Sequence, residues 1–177
     1  METEISSSIR QSLQLEQMEP PSSTNTFLSG LLNLFEWSEP VGIFSSNRIP
    51  PDIKKSKSFT IICNLSRHGE PGTHFVSIIK RGGHLLYLDP LAMYIELNRD
   101  ISTFIESCNP ASVIKLARAV QHPKSWLCGY FCVFFSLLYK ETCERKDIVQ
   151  FEEKHLQKND CICIRNIAKM IENKACQ

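Results

Sequence analysis

Apolar residues along this chain change their spacing several times, and each change predicts an element. Thr24 or Asn25 is a cap candidate, and Phe27, Leu28, Leu31, Leu32, Leu34 and Phe35 follow at helical intervals, with Pro40 expected to end the helix. A loop is expected from Gly42 to Ile53, because Pro50-Pro51 forbids helix. Phe59–Leu65 is β-branched and apolar and reads as a buried strand. His74–Lys80 and His84–Asp89 read as two more strands, joined by a hairpin turn at Gly82-Gly83. A short helix around Ile101–Cys108 and a fourth strand over Ser112–Ala119 come next. Cys128–Lys140 is apolar nearly all round, which predicts a helix buried in the middle of a domain. Two further helical stretches, Lys146–Lys158 and Ile162–Lys174, finish the chain. Met1–Ser23 is polar, carries Ser6-Ser7-Ser8 and Pro20-Pro21, and reads as a flexible tail. The pattern therefore predicts one α+β domain over residues 24–177, a central mixed sheet packed on the buried helix.

Composition narrows what such a domain does. The chain has 177 residues, 42% hydrophobic and 22% charged, an ordinary globular mix with room for one core. A net charge of +1 lacks the basic footprint of a nucleic-acid binder, and Lys54, Lys55 and Lys57 read as a solvated loop. No apolar leader precedes the domain, and the apolar run Trp126–Tyr139 falls short of the roughly 18 residues of a membrane span. Eight cysteines without a secretory leader point to free thiols in a reducing, intracellular compartment. Cys161-Ile162-Cys163 lacks the spacing of a zinc knuckle even with Cys143 and His155 nearby in sequence, and no metal or organic cofactor is expected.

Candidate chemistry starts at the hairpin. A two-residue Gly82-Gly83 turn sets Ile78 opposite Tyr87, Val76 opposite Asp89 and His74 opposite Leu91. Side chains alternate with period two, so His74 and Asp89 share a face as diagonal neighbours, and the carboxylate can accept the imidazole N–H. Cys128 opens the buried helix after a Pro-containing loop. A helix N-terminus favours thiolate, and a neighbouring imidazolium favours it further. Gly129 has no side chain to obstruct a substrate backbone, and Cys132, one turn on, is expected to be too deep to react. Gln121, seven residues before Cys128, is placed to pair its amide N–H with the Cys128 backbone N–H as an oxyanion hole.

Three segments resemble the adenovirus-type (adenain) cysteine proteases, part of the wider clan that includes the Ulp/SENP SUMO proteases. The most specific is Ala119-Val120-Gln121-His122-Pro123-Lys124-Ser125-Trp126-Leu127-Cys128-Gly129-Tyr130-Phe131-Cys132, which is similar to the family's Gln-loop-Cys-Gly pattern. Gly72-Thr73-His74-Phe75 with Leu86-Tyr87-Leu88-Asp89-Pro90 resembles its histidine and acid strands, and Gly42-Ile43-Phe44 with Ile49-Pro50 its lead-in segment. Phe75 stands where most relatives have Trp, and Asp89 follows the Ulp-like rather than the adenoviral choice of acid.

The resemblance implies a papain-related fold and a thiol endopeptidase with Cys128 as nucleophile, His74 as base and Asp89 orienting it. It further implies an oxyanion hole of Gln121 and Cys128, and a substrate channel bordered by Phe75 and Gly129 that admits Gly-Gly or Gly-x-Gly before the cut. The short chain points to a viral or Maverick/Polinton-like transposon enzyme that matures capsid precursors, acting as a monomer inside the host cell or packaged in virions. Adenoviral relatives use an activating peptide and DNA; the near-neutral charge argues against DNA here. The alternatives are a processing protease or isopeptidase for SUMO or ubiquitin-like proteins, an inactive scaffold of the same fold, and an acyltransferase using the same triad.

Overall fold

The computed structural model describes residues 23–140, 151–152 and 154–175. Helix α1 (Asn25–Asn33) starts where Thr24 Oγ1 accepts the Phe27 N–H, and it buries Leu28, Leu31 and Leu32. It stops well before Pro40: the Leu34 N–H turns back to Leu31 O, and the Trp37 indole donates to Leu32 O. The expected loop from Gly42 contains a strand, β1 (Val41–Ser45), which pairs parallel with β2 (Ser58–Asn64). Its five residues are all half-buried, so no alternation of apolar and polar positions announces it; pairing with a distant segment makes it a strand.

β3 (Phe75–Arg81) runs antiparallel to β2 and to β4 (His84–Leu88), and β5 (Ser112–Lys115) lies parallel to β4, giving the order β1-β2-β3-β4-β5. β5 ends at Lys115 rather than Ala119, as an exposed edge strand. The hairpin register is the predicted one, with Ile78 opposite Tyr87 and Gly82 in the left-handed region at φ +58°.

Both faces of the sheet are covered, which is why β2 to β4 read as continuous apolar runs. On one face Phe59, Ile61, Val76, Ile78, Leu85 and Tyr87 meet Ile95 and helix α2 (Arg99–Ser107), whose Asn98 cap accepts the Ile101 N–H. On the other, Ile62, Phe75, Ile79, Leu86 and Leu88 meet helix α3 (Cys128–Leu138), with α1 and α4 (Leu156–Ala175) closing over it. The third of the expected late helices is thus one helix that begins at Leu156. Of the expected helix over 146–158, residues 146–150 and 153 lie outside the described residues, residues 151, 152, 154 and 155 are not helical, and residues 156–158 belong to α4.

Strand β3 fixes α3 at both ends. Ser77 Oγ lies 3.1 Å from Ser136 Oγ, which also donates to Cys132 O, so two small polar residues let helix and strand approach closely. At the far end, the buried Arg81 guanidinium donates to Tyr139 O and Lys140 O, satisfying carbonyls at the helix C-terminus, and pairs with Glu39 at 2.7 Å. At the near end, β3 is preceded by His74 and α3 begins with Cys128.

Candidate active site

His74 and Asp89 lie one residue beyond the paired ends of β3 and β4, where the hairpin register still governs direction. His74 Nε2 is 2.7 Å from Asp89 Oδ1, and Asp89 is 1% exposed. The other ring nitrogen, Nδ1, is left over from the Asp89 contact, and the Cys128 side chain lies near enough to favour the protonated ring. Burial works against a charged imidazole here, but the bonds and charge from Asp89 and Cys128 outweigh it and push the His74 pKa up to about 9. His74 therefore holds its proton through the neutral range.

The Asp89 carboxylate has further partners. Oδ1 also accepts the Leu91 N–H at 2.8 Å, Oδ2 accepts the Met93 N–H at 3.2 Å, and the Asp89 carbonyl accepts the Ala92 N–H. Ala92 sits at φ +51°, a conformation non-glycine residues seldom adopt, so these three bonds hold a strained turn in place. Asp89 thus orients the imidazole and shapes the lip beside it.

Gln121 reaches the same place through its backbone. Pro90 O accepts both the Val120 and the Gln121 N–H, and Asn159 of α4, wholly buried, donates to Val120 O. The Gln121 amide is buried, and its Nε2 gives one hydrogen to Ser125 O at 2.7 Å. Nε2 carries a second hydrogen besides the one given to Ser125. Oε1 is buried without a partner, a cost of the kind that accumulates at functional sites. Gln121→Glu removes the amide donor and sets a carboxylate against any developing oxyanion; it is expected to lower kcat by roughly 10²–10³-fold, as is Gln121→Ala. Steady-state kinetics on both variants, with near-normal kcat in both as the contrary result, tests this.

His74, Cys128 and Gln121 border one open cleft of about 770 Å³, together with Trp126, Leu91 and Met93. One channel expectation is corrected. Gly129 does not border the cleft; a Cβ on it would lie 2.6 Å from Leu28 Cδ1 and 2.8 Å from Ser23 Cβ, so its missing side chain makes room for α1. Phe75 reaches the cleft but is 5% exposed and belongs to the core under α3. The exposed ring at the cleft is Trp126, 41% exposed and edge-on to Tyr130. Ser23, expected in the tail, borders the cleft and donates to Trp126 O. Trp126, Leu91, Met93 and Asn159 were not singled out from sequence. The exposed ring beside the nucleophile was the one legible signal.

The other thiols are unlike Cys128. Cys63, Cys132 and Cys163 are fully buried, and burial pushes all three pKa values up, which keeps them inert. Cys161 is exposed on α4 while Cys163 points into the core, so the pair does not converge on one centre; Cys143 lies outside the described residues.

No known family pattern and no curated protein matches this sequence. Solved structures do match, all distantly. ChlaDub1 from Chlamydia trachomatis is 13% identical with a TM-score of 0.43, over 96% of this chain and 89% of that one. The effector ChlaDUB1 of the same organism is 14% identical with a TM-score of 0.45, over 98% and 71%. The effector Cdu1 bound to ubiquitin is 14% identical with a TM-score of 0.42, over 96% and 89%. Likenesses this remote say nothing about what this chain acts on.

Proposed function

We propose that this chain is a cysteine peptidase that cleaves after glycine in the extended tail of a ubiquitin-like protein. The observation that carries the reading is the 2.7 Å His74–Asp89 contact, with Cys128 near the same imidazole and both residues bordering an open cleft. In this reading the proton given up by Cys128 already sits on His74 Nδ1, an imidazolium below about pH 9, and the sulfur attacks the carbonyl carbon. The second Gln121 amide hydrogen and the Cys128 backbone N–H meet the oxyanion. As the tetrahedral species collapses, His74 gives its proton to the departing amine, leaving a thioester on Cys128. Water, deprotonated by His74, then hydrolyses the thioester and restores the thiol. Asp89 keeps Nδ1 aimed at the sulfur throughout and offsets the imidazolium charge.

The test has two steps. A thiol-reactive activity probe, with labelling mapped by mass spectrometry in a Cys161→Ser background, is expected to modify Cys128; its failure to do so supports an inactive scaffold. Ubiquitin and SUMO, each joined through its Gly-Gly tail to a reporter, are then compared with Gly-x-Gly capsid-type peptides. The modifier fusions are expected to be cleaved with the higher kcat/KM, and a reversed order returns the substrate to the capsid-maturation class.

A further inference from the structure

Large hydrophobic side chains are exposed at six described positions: Met93, Tyr94, Leu97, Val113, Ile114 and Trp126. They are not scattered. Trp126 and Met93 border the cleft, and the chain continues outward from Met93 through Tyr94 (76% exposed) to Leu97 (71% exposed). This stretch is a short 3₁₀ turn, Ile95–Leu97, held by the buried Ile95 at its centre, so the turn presents Tyr94 and Leu97 to solvent on a fixed base. Lys115 of β5 pairs with Glu96 of the turn at 3.4 Å. Val113, two residues earlier, shares with Lys115 the face of β5 turned towards it. The result is an apolar shoulder running from inside the cleft over the turn to the sheet edge.

Three features say what covers it. First, the shoulder is continuous with the cleft through Met93. A chain whose tail lies in the cleft must place the body that carries the tail at the cleft mouth. Secondly, its two charges, Glu96 and Lys115, neutralise each other, which offers nothing to an anionic membrane and suits an apolar protein surface. Thirdly, the shoulder is hung from Asp89 by the Leu91 and Met93 N–H groups, so it is preorganised in register with His74. Among the described residues, nothing in the packing requires Tyr94 or Leu97 to be apolar.

We infer that the Met93–Tyr94–Leu97–Val113 shoulder docks the folded body of the substrate, through an apolar patch beside the base of its glycine-ended tail. This inference rests on the peptidase reading above and adds a second recognition surface to it. Affinity then comes from the shoulder and chemistry from the cleft, so a severed tail is a poorer substrate than the same tail on its folded protein.

The double substitution Tyr94→Ser, Leu97→Ser tests it, since both side chains are largely in solvent and neither touches the reacting groups. For the preferred modifier fusion, kcat/KM is expected to fall at least tenfold, mainly through KM. For a hexapeptide of the same tail sequence it is expected to stay within twofold. Binding of the uncleaved fusion to a Cys128→Ala protein is expected to weaken by a similar factor in the same background. Undiminished cleavage and binding of the folded fusion overturns the docking surface while leaving the peptidase reading intact. Equal losses for fusion and hexapeptide overturn it too, and assign the turn to shaping the active site through Asp89. A dimer in sedimentation that the double substitution dissolves, with fusion turnover unchanged, assigns the shoulder to a second copy of this chain. Absence of cleavage of any glycine-ended chain, with Cys128 still labelled by the probe, overturns the substrate reading and the docking inference together.

Discussion

Cys128→Ala is expected to abolish peptide cleavage, with a loss on the order of 10⁵-fold or more in kcat and circular dichroism unchanged. The size of the effect follows from the arrangement of the thiols. Among the described cysteines, Cys128 alone combines a place at the first turn of α3, nearness to the His74 ring and access to the cleft. Cys132 is one turn deeper and fully buried, with its thiol held protonated by burial. Cys132→Ala is therefore expected to cost about 1–2 kcal/mol of stability as a small cavity, with kcat of the folded fraction within a few-fold. Denaturant unfolding alongside kinetics separates the two effects. A Cys128→Ala protein that still turns over, or a well-folded Cys132→Ala protein that does not, would show that the nucleophile has been misassigned.

Asp89→Asn should produce the second largest loss, roughly 10²–10⁴-fold in kcat with a smaller change in KM. An asparagine fits the space but cannot satisfy all the partners of the carboxylate. With its oxygen towards His74 and the Leu91 N–H, its NH₂ group faces the Met93 N–H, donor against donor; turned over, it presents NH₂ to His74 Nε2 and breaks the tautomer. The pH profile gives a sharper readout. His74 is raised to about 9 against the opposing effect of burial, so the imidazolium partner of the sulfur persists below about pH 9, and activity is expected to decline above it. Removing the Asp89 charge leaves burial less opposed, and the alkaline limb is expected to move to lower pH. A variant with near-normal kcat and an unmoved alkaline limb would reduce Asp89 to a structural role in the turn that follows it.

Much of the candidate site was legible because it is built from local geometry. Gly82-Gly83 dictates a two-residue turn, the turn dictates register, and period-two alternation puts His74 and Asp89 on one face before any tertiary contact is considered. The apolar run after Pro123 dictates a buried helix, and its first residue is Cys128. Thr24 capping and the Leu28, Leu31 and Leu32 stripe dictate α1 in the same way.

Other features depend on partners far away in sequence. β1 is a strand because β2 is beside it, since the half-buried Val-Gly-Ile-Phe-Ser carries no alternating pattern. Gly129 looked like an opening for substrate because its neighbour is the reactive cysteine, yet its open side faces Leu28, a hundred residues away. Phe75 borders the cleft but packs under α3 with little of its ring exposed, and the ring most open to solvent there is Trp126. The meeting of His74 with Cys128 also lies beyond local geometry. It needs α3 laid along β3, with Ser136 against Ser77 and the helix C-terminus held by Arg81, so that helix and strand bring their other ends together. Sequence by itself determined which residues could react and which of them share a strand face, because turns and periodicity act over a few residues. Tertiary packing alone decided which of them meet, because the contacts that align α3 with the hairpin join segments that no local rule connects.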